Sequence, residues 1–271
     1  MAQDRFGLSQ RRACRITGQP RSTQRRPAPT PGEEPLRARL HEIAKDHQRY
    51  GYRRAHALLC RGGWVLNRKK VLRIWREEGL KVQPRHRKRR RPAPGEQVRR
   101  AERPNHVWAV DFQFDATADG RMLKITNLVD EFTREALAGR VGRSCTADDL
   151  VGILEGLTAS RGAPEHLRCD NGPELIAWTL RDWCRAGGTT TSYIEPGSPW
   201  ENPFVESYNA RMRDELLALT EFYNLPEAQV LIEDWRIGYN IERPHSSLGY
   251  LTPLEFHRAW TEQHQPEPAL S

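Results

Sequence analysis

The chain has 271 residues, a net charge of +8 and a mean hydropathy of −0.77. It has no apolar run near the roughly 20 residues that a membrane-spanning helix needs, and its start lacks a signal-peptide pattern. Its five cysteines are scattered, without a C-x-x-C pair, so neither a disulfide framework nor a structural zinc site is indicated. These features exclude a membrane protein and predict a cytoplasmic one.

The charge is divided unevenly along the chain. Residues 1–100 hold 28 lysines and arginines against 8 aspartates and glutamates, whereas residues 101–271 hold 15 against 27. A basic first third favours a polyanionic partner, most often nucleic acid. The acidic remainder is unusual for such a protein unless some of its carboxylates hold cations.

The basic third reads as short helices between two linkers. A short basic helix is predicted near 8–18, before a proline-rich linker at 20–35, and a very basic linker covers 83–104. The three helices between the linkers are predicted at 36–47, 52–60 and 68–80. Asn67 is the expected N-cap of the third helix.

Three short helices with tight turns and a basic third helix fit a helix-turn-helix unit. The side chains expected to face DNA are Arg68, Lys69, Lys70, Arg73 and Arg76. The alternative is a small helical bundle with a solvated basic face.

The pattern changes after residue 105. Strands are predicted at 106–115, 122–132, 134–142, 165–170 and 189–196, and helices at 147–162, 173–187 and from 202 onward. Three consecutive strands followed by alternating helices and strands predict a mixed α/β sheet covered by helices.

Three carboxylates fall at matching places in this layout. Asp111 lies on the first strand, Asp170 ends the fourth, and Glu206 lies on the helix after the fifth. If the first and fourth strands are neighbours, all three reach one cavity, where their charges repel unless cations are bound. Oxygen-only ligands favour Mg²⁺ or Mn²⁺, and such sites typically catalyse phosphoryl transfer with two metals about 3.5–4 Å apart.

The helix that carries Glu206 has a polar edge and an apolar stripe. Asn209 and Arg213 share the face of Glu206. The stripe that would pack on the sheet consists of Val205, Tyr208, Met212, Leu216 and Leu219. Taken alone, the polar edge is also typical of a solvated helix face.

The three acids, with 35 residues between the last two, resemble the DDE transposases of the retroviral-integrase superfamily. The resemblance is closest to the second-frame (OrfB) protein of the bacterial insertion sequence three family, and it covers essentially the whole chain. The matching stretches are "ACRITGQPRST", "RYGYRRAHALL", "NRKKVLRIWREEGL", "RPNHVWAVDFQF", "RCDNGPE", "NPFVESYNARMRDEL" and "YNIERPHSSLGYLTP".

The resemblance implies a ribonuclease H-like core, a five-stranded mixed sheet with helices on both faces, preceded by a small all-α helix-turn-helix domain. It implies that Asp111, Asp170 and Glu206 hold two Mg²⁺ ions, with Mn²⁺ as a substitute, for DNA cleavage and strand transfer. It also implies that Asn209 and Arg213 approach DNA near the cleaved phosphate.

The expected organisation has five parts. These are a basic N-terminal segment with its linker (1–35), a helix-turn-helix-like domain (36–82), a basic linker (83–104), the catalytic core (105–220) and a C-terminal helical extension with its tail (221–271). The implied partners are the element ends, target DNA and further copies of the chain. The chain is expected to be the downstream product alone, nucleoid-associated, and helped in end recognition by an upstream-frame protein or fused segment.

Several alternatives stay open on sequence alone. The chain fits a non-catalytic DNA-binding regulator from a truncated or decayed element, or a nuclease on the same fold. Asp130 is either a fourth acid or a turn carboxylate, with the turn favoured. Glu174 is expected at a helix N-terminus, and Arg243 and His245 either contact DNA or end a helix.

Overall fold

A computed structural model describes residues 9–18, 32–81, 100–193 and 202–264, together with Gly7 and Arg21. Its α-helices are α1 (Gln10–Thr17), α2 (Glu34–Asp46), α3 (Tyr52–Arg61), α4 (Arg68–Glu77), α5 (Ala147–Arg161), α6 (Trp178–Ala186), α7 (Pro203–Met212), α8 (Leu225–Ile241) and α9 (Pro253–Gln263). Its strands are β1 (Val107–Ala116), β2 (Met122–Asp130), β3 (Ala136–Gly142), β4 (His166–Cys169) and β5 (Thr190–Tyr193). None of the helices in these ranges is long and apolar enough to cross a membrane.

Helices α2 to α4 form an N-terminal helical domain with its own apolar core. The buried side chains include Leu40, Leu59 and Ile74, one from each helix. The side chain of Asn67 accepts a hydrogen bond of 2.8 Å from the backbone N–H of Lys69, so the predicted cap is confirmed. Apolar residues at helical spacing on three short helices are therefore sufficient to close this domain.

The sheet has the strand order β3-β2-β1-β4-β5. β1, β2 and β3 pair antiparallel, whereas β4 pairs parallel with both β1 and β5. Alternate residues of β1 point to opposite faces: Trp108 packs with α5 and α6, and Ala109 packs with α7 and α8. The predicted mixed sheet with helices on both faces is confirmed.

Helix α6 begins later than the sequence pattern predicts. Residues 173–187 were expected to be helical, but α6 starts at Trp178. The carbonyl of Gly172 accepts hydrogen bonds from the N–H groups of Leu175 (2.9 Å) and Ile176 (3.1 Å), which makes a turn after β4. Leu175 is fully buried at this turn. Its apolar side chain fits a helical period in the sequence, but it packs into the core from a loop. Residues 194–196 of the predicted fifth strand lie outside the described residues.

Helix α7 continues directly into a π-helix, Arg213–Leu217, which the sequence did not predict. The N–H of Ala218 donates to the carbonyl of Arg213, five residues back, at 2.8 Å. One extra residue in this turn rotates everything after it around the axis. The predicted apolar stripe is therefore wrong at its end, because Leu217 is buried while Leu219 is 46% exposed.

The C-terminal extension, helices α8 and α9 with the loop between them, covers the edge strand β3. The carbonyl of Ala136 accepts hydrogen bonds from Arg236 (2.6 Å) and Asn240 (2.9 Å) of α8, and the Val141 carbonyl accepts one from Gln229 (3.0 Å). These side chains therefore satisfy backbone carbonyls of β3 that an exposed edge strand would leave free to pair with another strand.

Candidate active site

Asp111 and Asp170 lie together because β1 and β4 are parallel neighbours. Asp111 is on β1, and Asp170 follows the last residue of β4. The parallel register pairs Ala109 with Arg168, so two residues further along each strand Asp111, in the middle of β1, comes beside Asp170 at the end of β4. The conditional prediction about these two strands is thereby confirmed.

Glu206 reaches this edge from helix α7. Val205, Tyr208 and Met212 are fully buried and hold the helix against the sheet. At the helix start, the side chain of Asn202 donates to the carbonyl of Val110 at 3.3 Å, next to Asp111. The first turn of α7 is therefore fixed to the strand that carries the first acid.

The electrostatics of the site show mutual repulsion between the acids. Burial and, to a smaller extent, the charge of Asp170 raise the pKa of Asp111 to about 6, although hydrogen bonds from Phe112 and Asn209 lower it. Burial and the charge of Asp111 also raise the pKa of Glu206. Asp111 therefore stands between two other carboxylates, which is the arrangement that a bound cation would stabilise.

The raised pKa of Asp111, caused mainly by burial and also by the charge of Asp170, predicts a pH-dependent gain in stability when Asp111 is neutralised. The raised pKa means that the folded protein keeps a proton between about pH 4 and 6 that the unfolded chain has released. Ionised Asp111 therefore destabilises the fold progressively as pH rises through that window. We expect the stability gap between Asp111→Asn and wild type to grow by about 2 kcal/mol from about pH 4.5 to about pH 7.5, in chelator. Urea denaturation measures the gap, and an equal gap at both pH values would refute the electrostatic account.

Asn209 is occupied by contacts within the protein. Its side-chain NH₂ donates to Asp111 Oδ2 at 2.8 Å, and its side-chain oxygen accepts from the NH₂ of Asn127 at 2.7 Å. The NH₂ of Gln113 donates to the Asn209 carbonyl at 3.2 Å. Asn209 therefore orients the first acid, and its predicted DNA contact stays a prediction.

Arg213 lies at the exposed end of the same face. It is the first residue of the π-helix and donates to the carbonyl of Phe114 on β1 at 3.3 Å. Its guanidinium is exposed beside the strand that carries Asp111, where a phosphate backbone can reach it. Its DNA contact likewise stays a prediction.

Sequence reasoning missed Lys124, which anchors the loop behind Asp170. Its buried ammonium pairs with Glu174, hydrogen-bonds the Cys145 carbonyl at 3.4 Å and lies 4.0 Å from the centre of the Phe112 ring. The expected helix N-terminal position of Glu174 is wrong, because α6 begins four residues later, at Trp178, and the Glu174 carboxylate pairs with Lys124 instead. The partners are 50 positions apart in sequence, so no local signal would have found this pair.

The basic residues of α4 are of two kinds. Lys70 lies 3.4 Å and Arg73 lies 2.6 Å from the buried carboxylate of Glu33, and Arg73 also pairs with Glu77. The other three predicted DNA contacts are exposed at the surface, and they are Arg68, Lys69 and Arg76. These three side chains have no carboxylate partner among the ion pairs of the described residues, and their contact with DNA stays a prediction.

Two open alternatives resolve toward structural roles. Asp130 is fully buried and accepts hydrogen bonds from the N–H groups of Asn105, Phe132 and Thr133 at 2.7–2.9 Å, so it is a turn carboxylate. Arg243 is also buried and hydrogen-bonds Glu215. His245 is buried as well, and its ring packs edge-on against Tyr239.

One group of possible metal ligands lies at the opposite end of the strands. His106, Glu165 and His166 place ligand atoms within 4.8 Å of one another, a spacing found for no other such group in the described ranges. The N–H of Glu102 donates to Nδ1 of His106 at 3.0 Å, which puts the ring proton on Nε2, 3.2 Å from Glu165. A metal-binding histidine normally donates with its second nitrogen, so this contact fits a His–Glu pair better than a metal site.

Comparison with known proteins gives the same architecture. Family models described as "Integrase core domain" match residues 101–199 and 187–253, and one described as "HTH-like domain" matches residues 31–89. The 31.7 kDa protein of insertion element IS407 from Burkholderia multivorans is 40% identical over 260 residues, which cover 94% of each chain. The chain belongs to the insertion-sequence transposases with an integrase core.

More distant relatives of this transposase agree. The transposase InsD of insertion element IS2D from Escherichia coli is 29% identical over 240 residues, or 81% of this chain and 77% of its own. Among solved structures, a chain of the simian T-cell lymphotropic virus intasome matches with a TM-score of 0.53 at 19% identity, covering 87% of this chain and 77% of that one. The structural match supports the ribonuclease H-like fold.

Proposed function

We propose that this transposase catalyses metal-dependent DNA cleavage and strand transfer, with Asp111, Asp170 and Glu206 as its catalytic residues. The observation that carries the proposal is that Asp111, in the middle of β1, lies beside Asp170 at the end of β4 and close enough to Glu206 of α7 for its charge to raise the pKa of Glu206. Carboxylates that repel one another in a half-buried site are costly to fold, and they are stabilised when cations share them.

The residues fit Mg²⁺, with Mn²⁺ as a substitute, because all three proposed donors are carboxylates. The raised pKa values of Asp111 and Glu206 reflect, besides burial, the negative charge of a neighbouring carboxylate. When two such ions are bound, they stabilise charge on phosphate oxygens and make water or a 3′-hydroxyl more acidic. No described histidine or cysteine belongs to this donor set, which disfavours zinc.

The remaining residues of the site bind and orient. Asn209 holds Asp111 through its 2.8 Å hydrogen bond, so the carboxylate that would be shared stays in one rotamer. Arg213 presents its guanidinium to the DNA backbone at the exposed end of the same helix face. We assign DNA anchoring to the helices in 36–82 and the chemistry to 105–220.

The test is to incubate the protein with Mg²⁺ and a duplex that carries the element end, and to map the products. We expect a free 3′-hydroxyl at the element end, followed by its joining to a new phosphodiester. Cleavage without joining would identify a nuclease. Binding without either product, in a folded preparation, would identify a non-catalytic regulator.

We further propose that the enzyme acts as a homo-multimer and that an upstream-frame protein or fused segment improves end recognition. Joining two element ends requires at least two sites. We expect little preference for terminal-repeat over scrambled duplexes with these 271 residues alone, and a marked preference once the segment is joined in frame. Both affinities are measured at one salt concentration, and strong discrimination by the chain alone would refute the idea.

A further inference from the structure

The N-terminal helical domain docks on the rest of the protein through arginines. Arg61 donates to the carbonyls of Glu242 (3.4 Å) and Tyr250 (3.3 Å) in the C-terminal extension. Arg49 donates to the carbonyl of Asp214 in the π-helix at 3.3 Å. Two stretches that stand far apart in sequence, "RYGYRR" and "ERPHSSLGY", also meet at this interface, where the Arg243 guanidinium lies 5.8 Å from the Tyr50 ring.

The centre of the interface is a docking cluster made of Tyr50, Arg54, Glu215 and Arg243. The Tyr50 ring is 5% exposed and lies between the two guanidinium groups, 5.1 Å from Arg54 and 5.8 Å from Arg243. Arg243 forms two hydrogen bonds to Glu215, at 2.9 and 2.5 Å, and Arg54 lies 3.9 Å from the same carboxylate. One carboxylate thus serves an arginine from each side of the interface.

Removing that carboxylate would leave the buried Arg243 close to the partly buried Arg54 without their shared counter-charge. Burial and the charge of Arg243 together lower the pKa of Arg54 to about 10, while the charge of Glu215 opposes this shift. An uncompensated buried charge destabilises far more than an intact pair stabilises. The interface therefore depends on Glu215 more than on any peripheral contact.

The docking cluster is connected to the helix of Glu206 in two ways. Glu215 lies in the π-helix that continues α7 without a break. In addition, the Arg243 guanidinium lies 5.4 Å from the Tyr239 ring, which packs edge-on against Tyr208 of α7 at 4.9 Å. π-turns occur frequently at functional sites, and here the turn directs Glu215 away from the acid cluster and toward the N-terminal domain.

We propose that Glu215 is a positioning residue, which couples the placement of the N-terminal helical domain to the position of the helix that carries Glu206. Its consequence for catalysis rests on the proposed function, whereas the coupling is a property of the fold. DNA held by the N-terminal domain is thereby set in a defined relation to the catalytic helix.

The coupling is tested by amide hydrogen exchange of the full chain without DNA or metal. Arg54→Gln changes the N-terminal domain only, yet we expect it to speed exchange of residues 203–217 about tenfold. Glu215→Gln changes the π-helix, and we expect it to speed exchange of residues 49–61 to a similar extent, because coupling free energies are reciprocal.

Arg53→Gln is the matched control. Arg53 is the exposed neighbour of Arg54 on α3, hydrogen-bonds Tyr52 and reaches Tyr250 at the rim of the same interface. We expect this variant to leave exchange of residues 203–217 unchanged. If the effect of Arg54→Gln stops at the N-terminal domain, the proposal is overturned. Unchanged exchange of residues 203–217 overturns the proposal even if Arg54→Gln unfolds the N-terminal domain. An unfolded domain cannot dock, and the proposal requires that loss of docking speed exchange in α7.

The catalytic consequence has a separate readout. At saturating element-end DNA, we expect Arg54→Gln to lower the single-turnover cleavage rate about tenfold while Arg53→Gln does not. A rate equal to wild type would show that the coupling has no catalytic role. If wild type itself does not cleave, the proposed function fails, and the exchange result still decides the coupling.

Discussion

Asp111→Asn, Asp170→Asn and Glu206→Gln should each lower DNA cleavage and joining by about a thousandfold or more, with little change in DNA affinity. Loss of a group that only orients a metal ligand typically costs about 10–100-fold, and loss of the ligand itself costs more. Cleavage and strand transfer are measured on labelled element ends in Mg²⁺, and DNA affinity is measured in chelator. The amide substitutions preserve side-chain shape, so they remove charge and metal binding without leaving a cavity.

Two further variants, a matched control and a variant with an intermediate expected effect, are compared with the three acid variants. Asp115→Asn is the matched control, because Asp115 is an acid on the same strand, four residues from Asp111, whose carboxylate accepts from the Ala116 N–H. It should leave activity unchanged. Asn209→Ala should fall between the extremes, at about 10–100-fold, because it frees Asp111 without removing it. Wild-type activity in any one of the three acid variants would exclude that residue from the site.

The triple variant Arg68→Gln, Lys69→Gln and Arg76→Gln should weaken DNA binding about a hundredfold at physiological salt. Each phosphate contact releases counterions, so the slope of log affinity against log salt should fall by about 3. Titrations of the full-length protein at several salt concentrations measure both quantities. An unchanged slope would place the phosphate contacts elsewhere.

The pair Lys70→Gln and Arg73→Gln provides the contrast on the same helix. Both side chains are held by Glu33, which is 3% exposed, so their charges are already compensated within the protein. We expect this pair to reduce thermal stability more than it reduces DNA affinity. If the Lys70→Gln and Arg73→Gln pair instead weakened DNA binding more than the triple variant does, DNA would have to displace Glu33 from these side chains.

The sequence by itself determined the order of elements, and it singled out the three acids that we propose as the catalytic residues. Residues at helical spacing specify α2 to α4, alternation specifies β1, and Asn67 marks a helix start, because each signal lies within a few residues of chain. The placement of Asp111 on the first strand, Asp170 after the fourth and Glu206 on the following helix comes from the same local periodicity together with the family resemblance.

Only the tertiary structure decided what those elements do to one another. Asn209 bonds Asp111 across 98 residues, Lys124 bonds Glu174 across 50, and Glu33 compensates Arg73 across 40. The π-turn that removes Leu219 from the apolar stripe was likewise not predicted from the sequence. Periodicity gives the direction of a side chain from its own helix or strand, but its partner is set by how two such elements pack, and that information is spread over the whole chain.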